Sequence, residues 1–211
     1  MEGKTETAGA SSPAVSLSSH SVPPYPRRHS GPVLICGFGP GFYEDLVRAR
    51  EIRPGAPCVA INEAAKAVRA FALFTLHPQK LRRFRELQDL HFGPGHYTCH
   101  TGGKYAAMLE RFRLMDHGWP LAAGGGTSAW AAQIMAKLMG FEERILVGVP
   151  LVYGNYADRS PAKGFKEGKQ RRDGKGEVLA NYRAYIERDT GWHAGCVSMS
   201  GWTRELLGAP K

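Results

Sequence analysis

Beyond residue 32, short apolar runs alternate with stretches whose apolar positions recur every three to four residues. VLICGFG (33–39), PCVAIN (57–62), ALFTLHP (72–78), ERILVGVPL (143–151) and CVSMSG (196–201) are of the first kind. Runs of this length, stopped by Gly, Asn or Pro, predict strands buried on both faces of a parallel sheet. Between them, residues 42–50 predict a helix with Glu44 and Asp45 in its first turn, where carboxylates suit the helix dipole. EAAKAVRAF (63–71) predicts a second helical stretch. LRRFRELQDL (81–90) predicts an amphipathic helix with a basic outer face. Residues 93–103 form a Gly- and His-rich connection holding one short strand, HYTCH (96–100). TSAWAAQIMAKLMGF (127–141) carries the strongest helical pattern, with Thr127 or Ser128 as its cap and Gly140 as its end. Residues 181–189 and TRELLG (203–208) supply the last two helices.

Strand–helix alternation of this kind predicts an α/β three-layer sandwich in one domain, a mainly parallel sheet with helices on both faces. In such sheets ligands bind beyond the carboxyl ends of the strands. The residues expected there are 37–41, 62–63, 76–78, 150–156 and 198–201. Two segments fall outside the alternation. Residues 1–31, rich in Ser, Pro, Thr and Gly, predict a disordered tail with a basic patch at Arg27, Arg28 and His29. Residues 153–177 hold almost no large apolar side chains and predict a long mobile loop. The domain proper is therefore expected over 32–211, with a basic loop at 158–176.

Composition narrows the function classes. Of 211 residues, 43% are hydrophobic and 22% charged, as in ordinary globular proteins. No run approaches 18 apolar residues, so no transmembrane segment is expected, and the N-terminus has no apolar core of a secretion signal. Cys36, Cys58, Cys99 and Cys196 are widely spread without a CxxC, which fits a reduced, cytoplasmic setting better than a disulfide framework or zinc finger. The net charge of +9 favours phosphate-bearing partners: nucleotides, nucleic acid or anionic lipid. Seven Lys and Arg residues between Arg159 and Lys175 concentrate that charge. They suit a lid closing on an anion, a solvated loop or a nucleic-acid contact, but no recognition-helix or aromatic-strand motif favours the last.

The candidate chemistry lies at the strand ends. Gly37, Gly39 and Gly41 follow the first strand and open a helix, a partial match to GxGxxG in which Pro40 removes a donor. The turn suits either a phosphate or tight packing. Gly124, Gly125 and Gly126 precede Thr127 and Ser128 at a helix start, where free N–H groups and two hydroxyls favour an anion. Asn62 at the end of the second strand reads as a ribose or base contact, or as a helix cap. Tyr153 and Tyr156 flank Asn155 past a strand end, as phosphate donors or as packing for the loop. His193, before the last strand, suits a general base or a structural role. The histidines from His77 to His117 lack metal-ligand spacing, and no HExxH, Walker A or GxSxG motif is present.

LICGFGPGFYEDL (34–46) resembles the opening strand, turn and helix of the bacterial family 42 sialyltransferases. It also resembles the related domain family that includes archaeal 6-hydroxymethylpterin pyrophosphokinases. TSAWAAQIMAKLMGFEERILVGVPLVYGNY (127–156) is similar to their second hallmark, a capped helix, a Gly, a strand and a Tyr-bearing loop. AINEAA and ALFTLHP sit where the second and third strands fall. The resemblance implies a Rossmann-like nucleotide-binding domain and metal-independent transfer of a sugar from a CMP-linked donor. It places nucleotide contacts at the 39–41 turn, Asn62 and Ser128, and puts Tyr153 and Tyr156 on the leaving phosphate. It makes 158–176 the lid and His193 the base that activates the acceptor hydroxyl. The chain departs from the pattern at Phe38, where the family has a polar Asn, and at Gly148-Val149-Pro150, where many relatives carry an Asp. These departures keep open a non-catalytic nucleotide-binding or phage-type accessory protein. The pyrophosphokinase, which would need Mg²⁺, is the third reading.

Overall fold

The computed structural model describes residues 29–102, 115–119, 121, 127–161, 166–170, 174 and 176–211. The predicted tail over 1–28, Gly126 with its neighbouring glycines, and most of the basic part of the predicted lid lie outside the described residues.

Seven strands form one sheet: β1 (Pro32–Cys36), β2 (Cys58–Ile61), β3 (Ala72–Thr75), β4 (Thr98–Gly102), β5 (His117–Trp119), β6 (Glu143–Val147) and β7 (Cys196–Ser198). Their order is β5-β4-β3-β2-β1-β6-β7, and every pairing is parallel. This is the α/β sandwich that the alternating pattern predicts. The chain winds outward from β1 to β5, then returns to lay β6 on the other side of β1. That reversal is the switch point at which open α/β sheets leave a crevice.

The alternating burial of β1 shows how the layers are built. Val33 and Ile35 enter one core, Leu34 and Cys36 the other. The second core takes helix α1 (Phe42–Ile52) through Phe42 and Ala49, and helix α2 (Leu81–Phe92) through Leu81 and Phe84. The first core takes helix α3 (Ser128–Met139) and helix α4 (Val178–Arg188). Helix α5 (Gly201–Leu207) adds Trp202, Leu206 and Leu207 at its margin. Helix α3 is buried almost all round, as its nearly uncharged sequence requires. Thr127 caps it by accepting from the Trp130 N–H at 3.2 Å, and Gly140 ends it in the left-handed region at φ 106°.

Three expectations change in detail. Residues 63–71 do not form a full helix. The ten residues joining β2 to β3 make one turn of 3-10 helix over Asn62–Lys66 and then an irregular return. HYTCH is shifted two residues to Thr98–Gly102, and the three-residue edge strand β5 escaped the pattern because it is too short to show a period. Residues 29–31, placed in the tail by composition, pack on the domain. His29 stacks on Phe141 with ring centroids 4.6 Å apart, and its N–H donates to the Met139 carbonyl at 2.9 Å.

Candidate functional site

A cavity of about 400 Å³ opens at the carboxyl ends of β3, β2, β1 and β6, beneath the N-terminus of α3. Each wall comes from one strand end. β1 supplies Gly37 to Pro40, β2 leads into Asn62 and Glu63, β3 into Leu76 and His77, and β6 into Gly148 to Val152, Gly154 and Tyr156. Thr127, Ser128 and Ala129 come from α3, and Tyr182 from α4. With strands about 4.8 Å apart, four strand ends span roughly 14 Å.

The glycines of the first turn are needed for packing. A Cβ on Gly37 or Gly39 would lie 2.8 Å from the Gly148 carbonyl oxygen. Their N–H groups are already used, Gly37 donating to Val147 and Gly39 to Gly148, both at 2.9 Å. Close approach of β1 to β6 is therefore what these glycines provide, and their own amides are spent on it. Asp45, buried on α1, secures the other side of the crossing. Its Oδ2 accepts from the Gly148 N–H at 3.0 Å and from the Ser200 hydroxyl at 2.6 Å. Burial raises its pKa, while those two hydrogen bonds oppose the shift.

The polar wall is pre-set by a short chain of hydrogen bonds. Thr75, fully buried, donates its hydroxyl to Asn62 Oδ1 at 2.8 Å and accepts from the His77 N–H at 2.9 Å. Asn62 itself sits at φ 53°, a left-handed conformation that Asn tolerates better than most residues. With Oδ1 engaged, its Nδ2 takes no partner among the described residues and remains available. Leu151 is also held at positive φ, 48°, and two guanidinium N–H groups of Arg183 bind its carbonyl at 3.0 and 2.7 Å. Two of the three non-glycine residues at positive φ among the described residues thus line the cavity, where strain tends to concentrate in functional sites.

At the α3 end, Thr127 uses its hydroxyl oxygen as a cap, whereas Ser128 keeps its hydroxyl and its N–H without a partner among the described residues. Ala129 N–H is equally open, so a small edge of open donors faces the cavity at the positive end of the helix. Tyr156 lines the opposite side. The chain around it folds back on the first turn: Ala157 N–H donates to the Phe38 carbonyl at 3.1 Å, and Lys66 pairs with Asp158 at 2.5 Å. Burial and the charges of Glu63 and Asp158 raise the Tyr156 pKa, which keeps its hydroxyl a donor.

The structure thus brings together Gly37, Gly39, Asn62, Thr127, Ser128 and Tyr156. It does not bring Gly41, Tyr153, Asn155 or His193 to the cavity wall. Gly41 is exposed at the start of α1. Tyr153 points its hydroxyl at Glu177, 2.5 Å away, and Asn155 is exposed on the same loop. His193 precedes β7 and so lies at the amino ends of the parallel strands, the opposite end from the cavity. There its Nε2 donates to the Ile186 carbonyl at 2.7 Å and its ring meets Trp130 edge-on at 5.6 Å. Beside it, buried Arg144 donates to the carbonyls of Glu142, Trp192 and Ala194. Three ionisable lining residues were not singled out from sequence: Glu63, His77 and Tyr182. The first two fall within the expected strand-end segments, and only the motif signal was missing.

No protein-family model and no curated protein sequence matches the chain. Among solved structures, the chain is similar to the sialyltransferase CstII from Campylobacter jejuni in complex with a substrate analogue, cytidine-5'-monophosphate. The match has a TM-score of 0.51 and 11% identity, covering 88% of this chain and 86% of that one. At this identity the likeness shows a shared, sialyltransferase-like fold.

Proposed function

We propose that the protein binds a CMP-linked sugar in the switch-point cavity and transfers the sugar to a hydroxyl acceptor. The reading is carried by one observation: a cavity four strand ends wide, with an open anion-binding edge, in a fold shared with a sialyltransferase solved with CMP. In this proposal Ser128 and the N–H groups of Ser128 and Ala129 take the phosphate. Asn62, through its free Nδ2, reads the ribose or base. Gly37 and Gly39 shape the floor, and Thr127 caps the helix that carries Ser128. Tyr156 donates its hydroxyl to the phosphate oxygen on which charge develops as the sugar leaves. Tyr153 and Asn155 sit on the loop that carries Tyr156. They would join the site only by a movement that frees Tyr153 from Glu177.

Tyr156→Phe tests the reading. It removes one hydroxyl and is expected to lower release of CMP from a CMP-linked sugar by about 10²-fold, with CMP affinity little changed. An equal rate would exclude the tyrosine from leaving-group stabilisation. Nucleotide binding without turnover is the second reading, favoured by the position of His193 at the amino ends of the strands. The pyrophosphokinase reading is disfavoured because Val149 and Pro150 occupy the loop after β6 and Glu63 is the lone carboxylate among the described lining residues.

A further inference from the structure

The described lining of the cavity contains four ionisable side chains, Glu63, His77, Tyr156 and Tyr182. A hydroxyl acceptor needs a group that can take its proton near pH 7, and three of the four are poorly placed for that. Both carboxylate oxygens of Glu63 are engaged by Arg83, with N–O distances of 3.1 and 3.2 Å. Tyr156 is kept protonated by burial and by the charges of Glu63 and Asp158, and Tyr182 enters the lining from α4.

His77 differs in position and in bonding. It follows β3, at the end of the cavity farthest from β6, two strands from the first turn. Its ring is exposed at the cavity edge, so a second substrate can reach it. The backbone is fixed by its N–H bond to Thr75, the same hydroxyl that orients Asn62, while the imidazole takes no partner among the described residues.

We infer that His77 is the general base of the transfer reaction proposed above, standing at the acceptor end of the cavity. The acceptor O–H gives its proton to the free imidazole nitrogen as its oxygen bonds to the anomeric carbon of the sugar. The bond from that carbon to the phosphate oxygen breaks, and its electron pair leaves on CMP. The charged and titratable groups around the ring are Lys80 on its own turn and Glu63, Tyr156 and Tyr182 across the cavity. Partial burial and Lys80 lower the His77 pKa below 6.5, so the ring is neutral at pH 7 and competent to accept a proton.

The inference rests on the nucleotide-site reading, and its test separates the two. His77→Ala and the milder His77→Asn are assayed for CMP release from a CMP-linked sugar with a hydroxyl acceptor. CMP binding is measured on the same proteins, and imidazole NMR signals are followed during CMP addition. The expected result is a rate lower by about 10²-fold, a CMP Kd within about threefold of the parent, partial rescue of His77→Ala by added imidazole and loss of the acidic limb that the parent shows below pH 6.5. The His77 ring signal moves on CMP addition and the His193 signal does not. If CMP binds but the His77 signal is unmoved, the variants keep their rate, or the parent releases no CMP, the base assignment is overturned and the nucleotide site stands. If CMP does not bind at all, the nucleotide reading fails and takes the base with it.

Discussion

At the scale of single residues, the site depends on side chains whose partners fix their direction. Thr75 is the clearest case, because one buried hydroxyl orients Asn62 and anchors His77. Thr75→Val keeps the shape and removes both hydrogen bonds. The expected outcome is a loss of about 1–3 kcal/mol in stability, since Asn62 Oδ1 and the His77 N–H lose their partner. CMP binding should weaken about tenfold as Asn62 turns freely. Denaturant melts and calorimetry check the two parts, and an unchanged CMP affinity would remove Thr75 from the account. Little of this chain was legible in the sequence. Asn62 and Ser128 could be named because strand ends and helix starts have fixed chemistry. Thr75 and His77 could not, because their importance comes from a contact between neighbouring strands. His193 shows the opposite limit. It precedes the last strand of a sheet that the sequence predicts to be parallel, so its place at the amino ends, away from the cavity, was readable, and only the family resemblance pointed the other way.

At the scale of elements, the strands buried on both faces were legible because apolar runs of four to five residues ended by Gly or Asn have few other structural uses. The edge was not, since β5 has three residues, and its pairing with β4 places His100 opposite His117. The pairing creates a pH-sensitive edge. His100 is fully buried, accepts from Trp119 Nε1 at 3.1 Å through Nδ1 and donates from Nε2 to Thr98 Oγ1 at 2.7 Å, which fixes the neutral tautomer. Burial and the neighbouring His117 and His29 push its pKa down to about 3. A histidine lowered in this way takes a proton in the unfolded chain first. Its contribution is complete above pH 6.5 and is lost as the pH falls from 6.5 toward 3. At pH 5 the loss is about 2 kcal/mol. Urea melts at pH 7 and pH 5 should show it, and His100→Gln should flatten that dependence. A variant that keeps the full acid sensitivity would place the effect elsewhere.

At the scale of the whole molecule, the reversal of winding between β1 and β6 locates the cavity, and the glycines at 37 and 39 let the two strands close on each other beneath it. Pattern and turn residues make that architecture readable from sequence. The cavity's lining is not, because four separate strand ends and two helices contribute to it. Among the described residues no helix is long and apolar enough to cross a membrane. The central claim is that the cavity is a nucleotide site that works without a divalent cation, and isothermal titration of CMP into the full chain in EDTA tests it most directly. The account predicts saturable one-to-one binding that weakens at least tenfold in Asn62→Ala and in Ser128→Ala. At a CMP concentration about 100 times Kd, the complex should gain about 2.7 kcal/mol in stability. No heat of binding and no stabilisation, or binding indifferent to both substitutions, would contradict it.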